Sequence, residues 1–329
     1  MSFIAHPHDR PGFSLQVIFA SFLMLSTLMS FSALSQSASF SELAANDIQA
    51  NLHADEYELI DVSDSQIPIF ITHSEQALTK GIIFILGDAD TPLGRSDSLH
   101  LLAQKMPQYG WTVVSLPSLG LSLGPSIAFP VMDKEEIKEA VIDASSETET
   151  TLEVDAESAT ALIETPKVLS PSSSKRFQEA ISEAQLVIYN KEIEAYMSAA
   201  FKHMQGTLGH RVIISQGISA ASITKLLADQ NPIFNEVDAA VIHNPYWPMR
   251  KLNLMIPSIV AQTTTPMLDL TSQWDNAWSI QTQKQRKIKA RTELKELYRQ
   301  ADIIGQPMDD RQAEYVAKLI KGWTTYLGW

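Results

Sequence analysis

Residues 212–221 run Val-Ile-Ile-Ser-Gln-Gly-Ile-Ser-Ala-Ala, and helical spacing follows at Ile223, Leu226 and Leu227. Three β-branched residues make a buried strand, and a knot of small residues turns it sharply into a helix. Other apolar runs flank this unit, so the chain is restricted to a mostly parallel sheet covered by helices on both faces.

The neighbouring segments agree. Tyr57–Val62 and Ile67–Thr72 predict a leading hairpin across Asp64-Ser65. Gly81–Leu86 is a continuous apolar run of the buried parallel type and ends at Gly87-Asp88-Ala89-Asp90. Leu99, Leu102, Ala103 and Met106 recur at helical spacing, and Trp111–Leu116 forms another strand. Phe177–Met204 predicts a long helix, with Ile181, Ala184 and Ile188 in phase. Val237–His243 and Pro266–Leu270 predict further strands. Asn276–Gln300 is expected as helix, Ala301–Ile304 as a short strand, and Arg311–Trp329 as a closing helix. Val316, Leu319, Ile320, Trp323 and Leu327 form the apolar face of that last helix. Ligands of such sheets bind beyond the carboxyl ends of the strands.

The chain has 329 residues, and its first part stands outside this core. An uncharged stretch rich in Phe, Leu, Met and Ser follows Arg10 from Phe13 to Leu34, and Ala33-Leu34-Ser35 supplies the small residues of a cleavage site. Residues 1–35 are therefore expected to be a signal peptide, and the competing reading is a retained membrane anchor. Residues 36–54 form an N-terminal extension, and the mature chain is expected to be periplasmic or secreted, without a membrane span. Cysteine is absent, which excludes disulfides, thiolate zinc sites and an N-terminal cysteine lipid anchor. The net charge of −13 argues against nucleic acid or anionic lipid as the main partner. Eleven acids and two lysines lie between Asp133 and Glu164. Residues 130–175 are thus expected to be a mobile acidic insert in the 55–329 domain.

The strand–turn–helix unit has the layout of the nucleophile elbow of α/β hydrolases, G-x-S-x-G, whose working site also needs an oxyanion loop, an acid and a histidine. Two registers are open. In one, Gly217 holds the nucleophile position between Ser215, Gln216, Ile218 and Ser219, and Ser219 caps the helix. In the other, Ser219 is the nucleophile, which leaves Ser215 and Gln216 to end a buried strand. That desolvation favours the first. The oxyanion-loop position is Gly87-Asp88, where two carboxylates, Asp88 and Asp90, would repel an oxyanion. Asp269 and Asp275 stand where the acid belongs. The histidine loop reads Gly305-Gln306-Pro307-Met308-Asp309-Asp310, and His243 at its own strand end is the remaining imidazole for the role. The other histidines show no ligand spacing, and no metal or cofactor site is expected. Lys284, Arg286, Lys287, Lys289, Arg291, Lys295 and Arg299 gather positive charge on the predicted helix, as a solvated face or as a dock for the acidic insert or an anionic ligand. Asn244-Pro245-Tyr246-Trp247-Pro248 places aromatics at the ligand edge, over the core or lining a pocket.

Over Gly81–Leu116, Ser215–Ala221, Thr265–Leu270 and Tyr298–Gly305 the chain resembles a family of exported bacterial α/β-hydrolase-like proteins, the domain of unknown function 3530. The phrases that carry it are Pro266-Met267-Leu268-Asp269, Tyr298-Arg299-Gln300-Ala301-Asp302-Ile303-Ile304-Gly305 and the closing Gly322-Trp323. The resemblance covers Asp55 to Trp329 apart from the insert. It implies the fold and an envelope location, and brings no activity. The wider superfamily implies ester or peptide hydrolysis, a pattern from which this chain departs at the nucleophile and the histidine. The expectation is a hydrolase-like protein without a recognisable triad, binding a small molecule or an envelope protein. The alternative is an esterase on small or lipidic acyl substrates using Ser219, Asp269 and His243.

Overall fold

The computed structural model describes residues 40–53, 55–63, 65–91, 99–121, 181–273, 276–304 and 309–329. The stretch expected to be a signal peptide, the expected acidic insert, Asp275 and the loop residues 305–308 lie outside the described residues.

In chain order the elements are α1 (Phe40–Asn51), β1 (Glu58–Val62), β2 (Ser65–Thr72), β3 (Gly81–Leu86), α2 (His100–Lys105) and β4 (Trp111–Leu116). Then come α3 (Glu183–His203), β5 (His210–Gln216), α4 (Gly217–Ala228), β6 (Ala239–His243), α5 (Arg250–Asn253) and α6 (Ile256–Gln262). The chain closes with β7 (Met267–Ser272), α7 (Ala277–Thr292), β8 (Tyr298–Ile303) and α8 (Asp310–Tyr326).

The strands form one sheet in the order β1-β2-β4-β3-β5-β6-β7-β8. The leading hairpin is antiparallel, with Val62 opposite Ser65, and β2 runs antiparallel to β4. From β4 across to β8 all pairs are parallel. This is an α/β-hydrolase sheet. Side chains alternate across it with the period of a pleated strand. Ile82, Phe84, Leu86, Ile213 and Ile242 enter one core with Tyr189, Ile193 and Met197 of α3 and Ile218 and Ile223 of α4. Ile83, Ile85, Val212, Ile214 and Val241 enter the other, with Leu102 of α2 and Val316, Ile320 and Trp323 of α8. After β3 the chain steps outward to β4 and then crosses to β5 on the other side of β3. The carboxyl ends of β3 and β5 therefore flank the point where strand order reverses, the usual place for a ligand site.

Local signals explain the boundaries. Ser182 and Gln185 make a reciprocal capping box at the start of α3. Within 36–54, residues 40–51 are not a plain extension but helix α1, which packs on β2 and buries Ala45.

The expected helix over 276–300 stops at Thr292, and the strand begins at Tyr298 rather than Ala301. The cause is a buried ion pair. Asp269 on β7 and Arg286 on α7 are both fully buried. Arg286 Nε donates to Asp269 Oδ2 at 2.8 Å and Nη2 to Oδ1 at 3.2 Å. Tyr298 and Gln300 add donors to Oδ2 at 2.7 and 3.0 Å, which they reach only from an extended β8. Arg286 Nη1 donates to Thr282 Oγ1 and the Ser279 carbonyl. Burial and the adjacent carboxylate push the Tyr298 hydroxyl well above its ordinary range, so it stays a neutral donor. Arg286 is therefore an internal residue, not one of the surface cations its sequence neighbours suggest.

Removing one member strands the other in the core. Asp269→Ala is expected to lower unfolding free energy by about 3 to 5 kcal/mol, and an Asp269→Leu/Arg286→Met pair to recover most of that loss. Urea denaturation of the three proteins measures it. A single-mutant loss indistinguishable from a surface substitution would contradict the reading.

Candidate functional site

At the carboxyl end of β5 the backbone turns through Gly217, whose φ is +60°, directly into α4. The left-handed conformation suits glycine, which has no Cβ to clash. Gly217 thus stands at the turn itself, while the strand still ends in Ser215 and Gln216 with Ser215 buried, so the desolvation counted against the other register is present here as well.

Asp88 fills the place opposite. Its Oδ1 accepts from the backbone N–H of Ala89 at 2.8 Å and from that of Ile218 at 2.8 Å. Its Oδ2 accepts from the Tyr246 hydroxyl at 3.0 Å. In hydrolases of this fold the oxyanion hole combines the N–H of the residue after the nucleophile with one from the loop after β3. Ile218 and Ala89 hold those positions. Both donors exist and converge, and both point at the same carboxylate oxygen. The N-terminus of α4 adds its partial positive charge. The Asp88 carboxylate takes both of these donors itself.

It also fills the space beside Gly217. A Cβ on Gly217 would lie 2.1 Å from Asp88 Cγ and 2.2 Å from each carboxylate oxygen. A side chain at 217 could enter this turn only if the Asp88 carboxylate moved from its present place.

The remaining candidates are held elsewhere. Ser219 is not the helix cap, because α4 starts two residues earlier and Gln216 is its N-cap residue. The Ser219 hydroxyl is buried, donates to the Gly87 carbonyl at 2.7 Å and meets the Tyr189 hydroxyl at 2.8 Å. It ties α3, α4 and the β3 loop together. Burial keeps Tyr189 neutral by raising its hydroxyl above the usual range. Ser215 is fully buried at the end of β5, and its hydroxyl has no hydrogen-bond partner among the described residues. His243 pairs in register with Gln216, and its Nε2 lies 3.1 Å from Asn244 Nδ2. Asp269 is committed to Arg286, Tyr298 and Gln300. Asp90 is exposed at the rim, and Asp309 caps α8 through the Gln312 N–H.

The aromatic segment after β6 divides its roles. Trp247 is buried in the core, and its indole N–H reaches Ser222 Oγ. Tyr246 faces the site: its N–H donates to the Gly217 carbonyl at 3.3 Å and its hydroxyl to Asp88. Asn244, at φ +49°, fastens this segment to β7 through the Leu270 carbonyl and the Ser272 N–H. Tyr246 is the site residue that sequence spacing did not assign; its signal was an aromatic placed just past a strand end.

The model of one protein family, described as "Protein of unknown function (DUF3530)", matches residues 33–326. The chain belongs to this family. Its sequence phrases acquire a physical meaning here, since Asp269, Tyr298 and Gln300 meet around Arg286. No curated protein matches the sequence significantly. Among solved structures, the family member is similar to dienelactone hydrolase from Anabaena variabilis, with 11% identity over 82% of this chain and 96% of that one, at a TM-score of 0.48. It is also similar to Est1E from Butyrivibrio proteoclasticus, at 9% identity, 82% and 98% coverage and a TM-score of 0.48. The esterase domain of a Rhodothermus marinus protein gives 7%, 81% and 96%, and 0.46.

The contact between Gly217 and Asp88 is testable as a coupling. Gly217→Ala should be strongly destabilising in the wild type. In an Asp88→Ala background it should retain only the left-handed backbone cost, about 1 to 2 kcal/mol. A double-mutant cycle by chemical denaturation is expected to give a coupling of about 1 to 3 kcal/mol, whereas additive effects would separate the two residues.

Proposed function

We propose that this protein is a non-catalytic member of the α/β-hydrolase fold that serves as a binding or accessory protein of the bacterial cell envelope. One observation carries the non-catalytic half: the Asp88 carboxylate accepts both N–H groups of the oxyanion position and occupies the space a nucleophile at residue 217 would need. An acyl substrate gains rate from donors aimed at charge that develops in the transition state. Here that charge is already present, permanently, on the protein itself. A carbonyl oxygen entering the hole would meet a carboxylate instead of free donors. The elbow also offers no side chain to attack it.

The alternative hydrolase reading asks Ser219 to act. Its hydroxyl would have to leave the Gly87 carbonyl and the Tyr189 hydroxyl, and then find a base. The envelope half of the proposal rests on the apolar leader-like stretch 13–34 and the small residues that follow it.

Incubation of the purified protein with a fluorophosphonate probe and with short p-nitrophenyl esters tests the chemistry. Neither labelling nor turnover above buffer is expected. Labelling that disappears in Ser219→Ala would overturn the proposal in favour of the esterase.

A further inference from the structure

Four of the seven cations that sequence placed on one helix, Lys287, Arg291, Lys295 and Arg299, border a cleft. Between the last turns of α7 and the start of β8 lies an open space of about 510 Å³, bordered by Lys287, Arg291, Leu294, Lys295, Tyr298 and Arg299. No acidic side chain lines it. Among the described residues Lys287, Arg291 and Arg299 have no carboxylate partner, while nearby Glu293 is paired with Lys289 at 2.8 Å. Lys295 is half-buried and donates to the carbonyls of Thr263 and Thr265.

The turn that joins the two elements carries an anomaly. α7 ends in a Schellman motif: the Lys295 N–H donates to the Ala290 carbonyl and the Leu294 N–H to that of Arg291. The residue in the left-handed position, ordinarily glycine, is Leu294 at φ +52°. Leu297 follows at φ +51°. Each conformation costs about 1 kcal/mol or more for a side chain with a Cβ. Folding gains little in return, because Leu294 is 83% exposed and Leu297 44%. Two strained leucines thus face solvent beside cations that have no carboxylate partner among the described residues.

We propose that this surface docks the protein on an anionic phospholipid bilayer, with Leu294 and Leu297 entering the headgroup layer and Lys287, Arg291 and Arg299 meeting lipid phosphates. An interfacial site needs apolar side chains that gain from leaving water and basic groups beside them, and the turn supplies both. A site for a free anion would use the cations but leave the leucines without a role. The acidic balance of the chain is no obstacle. The segment from Asp133 to Glu164, with eleven acids against two lysines, holds a net nine of the thirteen negative charges. Attraction at the membrane is local, since charges more than about 8 to 10 Å apart are screened at moderate salt. The cleft lies toward the amino ends of the strands, opposite the Asp88 site, so docking leaves that site open. This surface is independent of whether any chemistry occurs at Asp88.

Cosedimentation of the full chain with vesicles of phosphatidylcholine alone, or with phosphatidylglycerol added, tests the proposal. Binding contributed by residues 13–34 is common to every variant and drops out of the comparison. Asparagine tolerates the left-handed conformation, so Leu294→Asn/Leu297→Asn preserves the turn while removing its apolar surface. That variant is expected to bind anionic vesicles about tenfold or more weakly. Arg291→Gln and Arg299→Gln should each cost about fivefold, with wild-type binding falling as salt rises. Thermal melting of all variants should match or exceed the wild type. Equal binding by wild type and the leucine variant overturns the proposal, as does indifference to phosphatidylglycerol. Competition by inorganic phosphate that leaves the leucine variant like wild type would assign the cleft to a free anion and overturn it too. Capture of an acidic polypeptide without vesicle binding would do the same for a protein partner.

Discussion

A carboxylate partly withdrawn from water must find donors or lose its charge. Asp88 finds two backbone N–H groups, a tyrosine hydroxyl and the positive end of a helix. Most of what surrounds the carboxyl ends of β3 and β5 follows from that demand. Residue 217 must be glycine because the carboxylate takes the room of a Cβ. The loop after β3 is held by its own side chain folding back onto Ala89. The segment after β6 is drawn over the elbow because Tyr246 contributes both its hydroxyl and its amide. The Asp88 carboxylate is thus a structural joint between three segments distant in sequence.

The second carboxylate with a hydrolase-like address has met the same fate by another route. Asp269 is satisfied by a full charge, Arg286, and by two neutral donors from β8. Because a buried pair is weak evidence of net stability yet costly to break, its clearest effect is specification: it sets where α7 ends and where β8 begins. At Asp88 the aligned amides at the start of α4 contribute to the field instead. One acid fixes the register of the sheet edge, the other the geometry of the turn.

Much of the fold was legible because it rests on burial. Gly81–Leu86, Trp111–Leu116 and Val212–Ile214 announce themselves as strands by uninterrupted apolarity, and the small residues after Ile214 mark the turn. The misreading of 293–300 has a local cause. Glu293, Leu294, Lys295 and Glu296 all favour helices, and no glycine or proline marks the stop. The stop comes from contacts made by Tyr298 and Gln300, and from leucines held in a conformation they intrinsically avoid. At the site, both the glycine in the nucleophile position and the acid in the oxyanion loop were visible. Their relation was not, because the bond from Ile218 to Asp88 spans 130 residues. Composition can show that a carboxylate stands near a hole; only geometry shows that it fills the hole. Similarly, Arg286 is one of several cations at helical spacing, and nothing local distinguishes the one that turns inward.

The fit between Gly217 and Asp88 also bears on how such a site can change over generations. Serine at 217 alone collides with the carboxylate. Loss of Asp88 alone leaves the Ala89 and Ile218 amides without their acceptor and Tyr246 without its anchor, yet creates no nucleophile. Either first step lowers stability and yields no turnover for selection to favour, and an imidazole base would still have to be recruited. On the non-catalytic reading proposed above, the joint works as a ratchet: no single substitution at 88 or 217 yields an attacking side chain beside free donors.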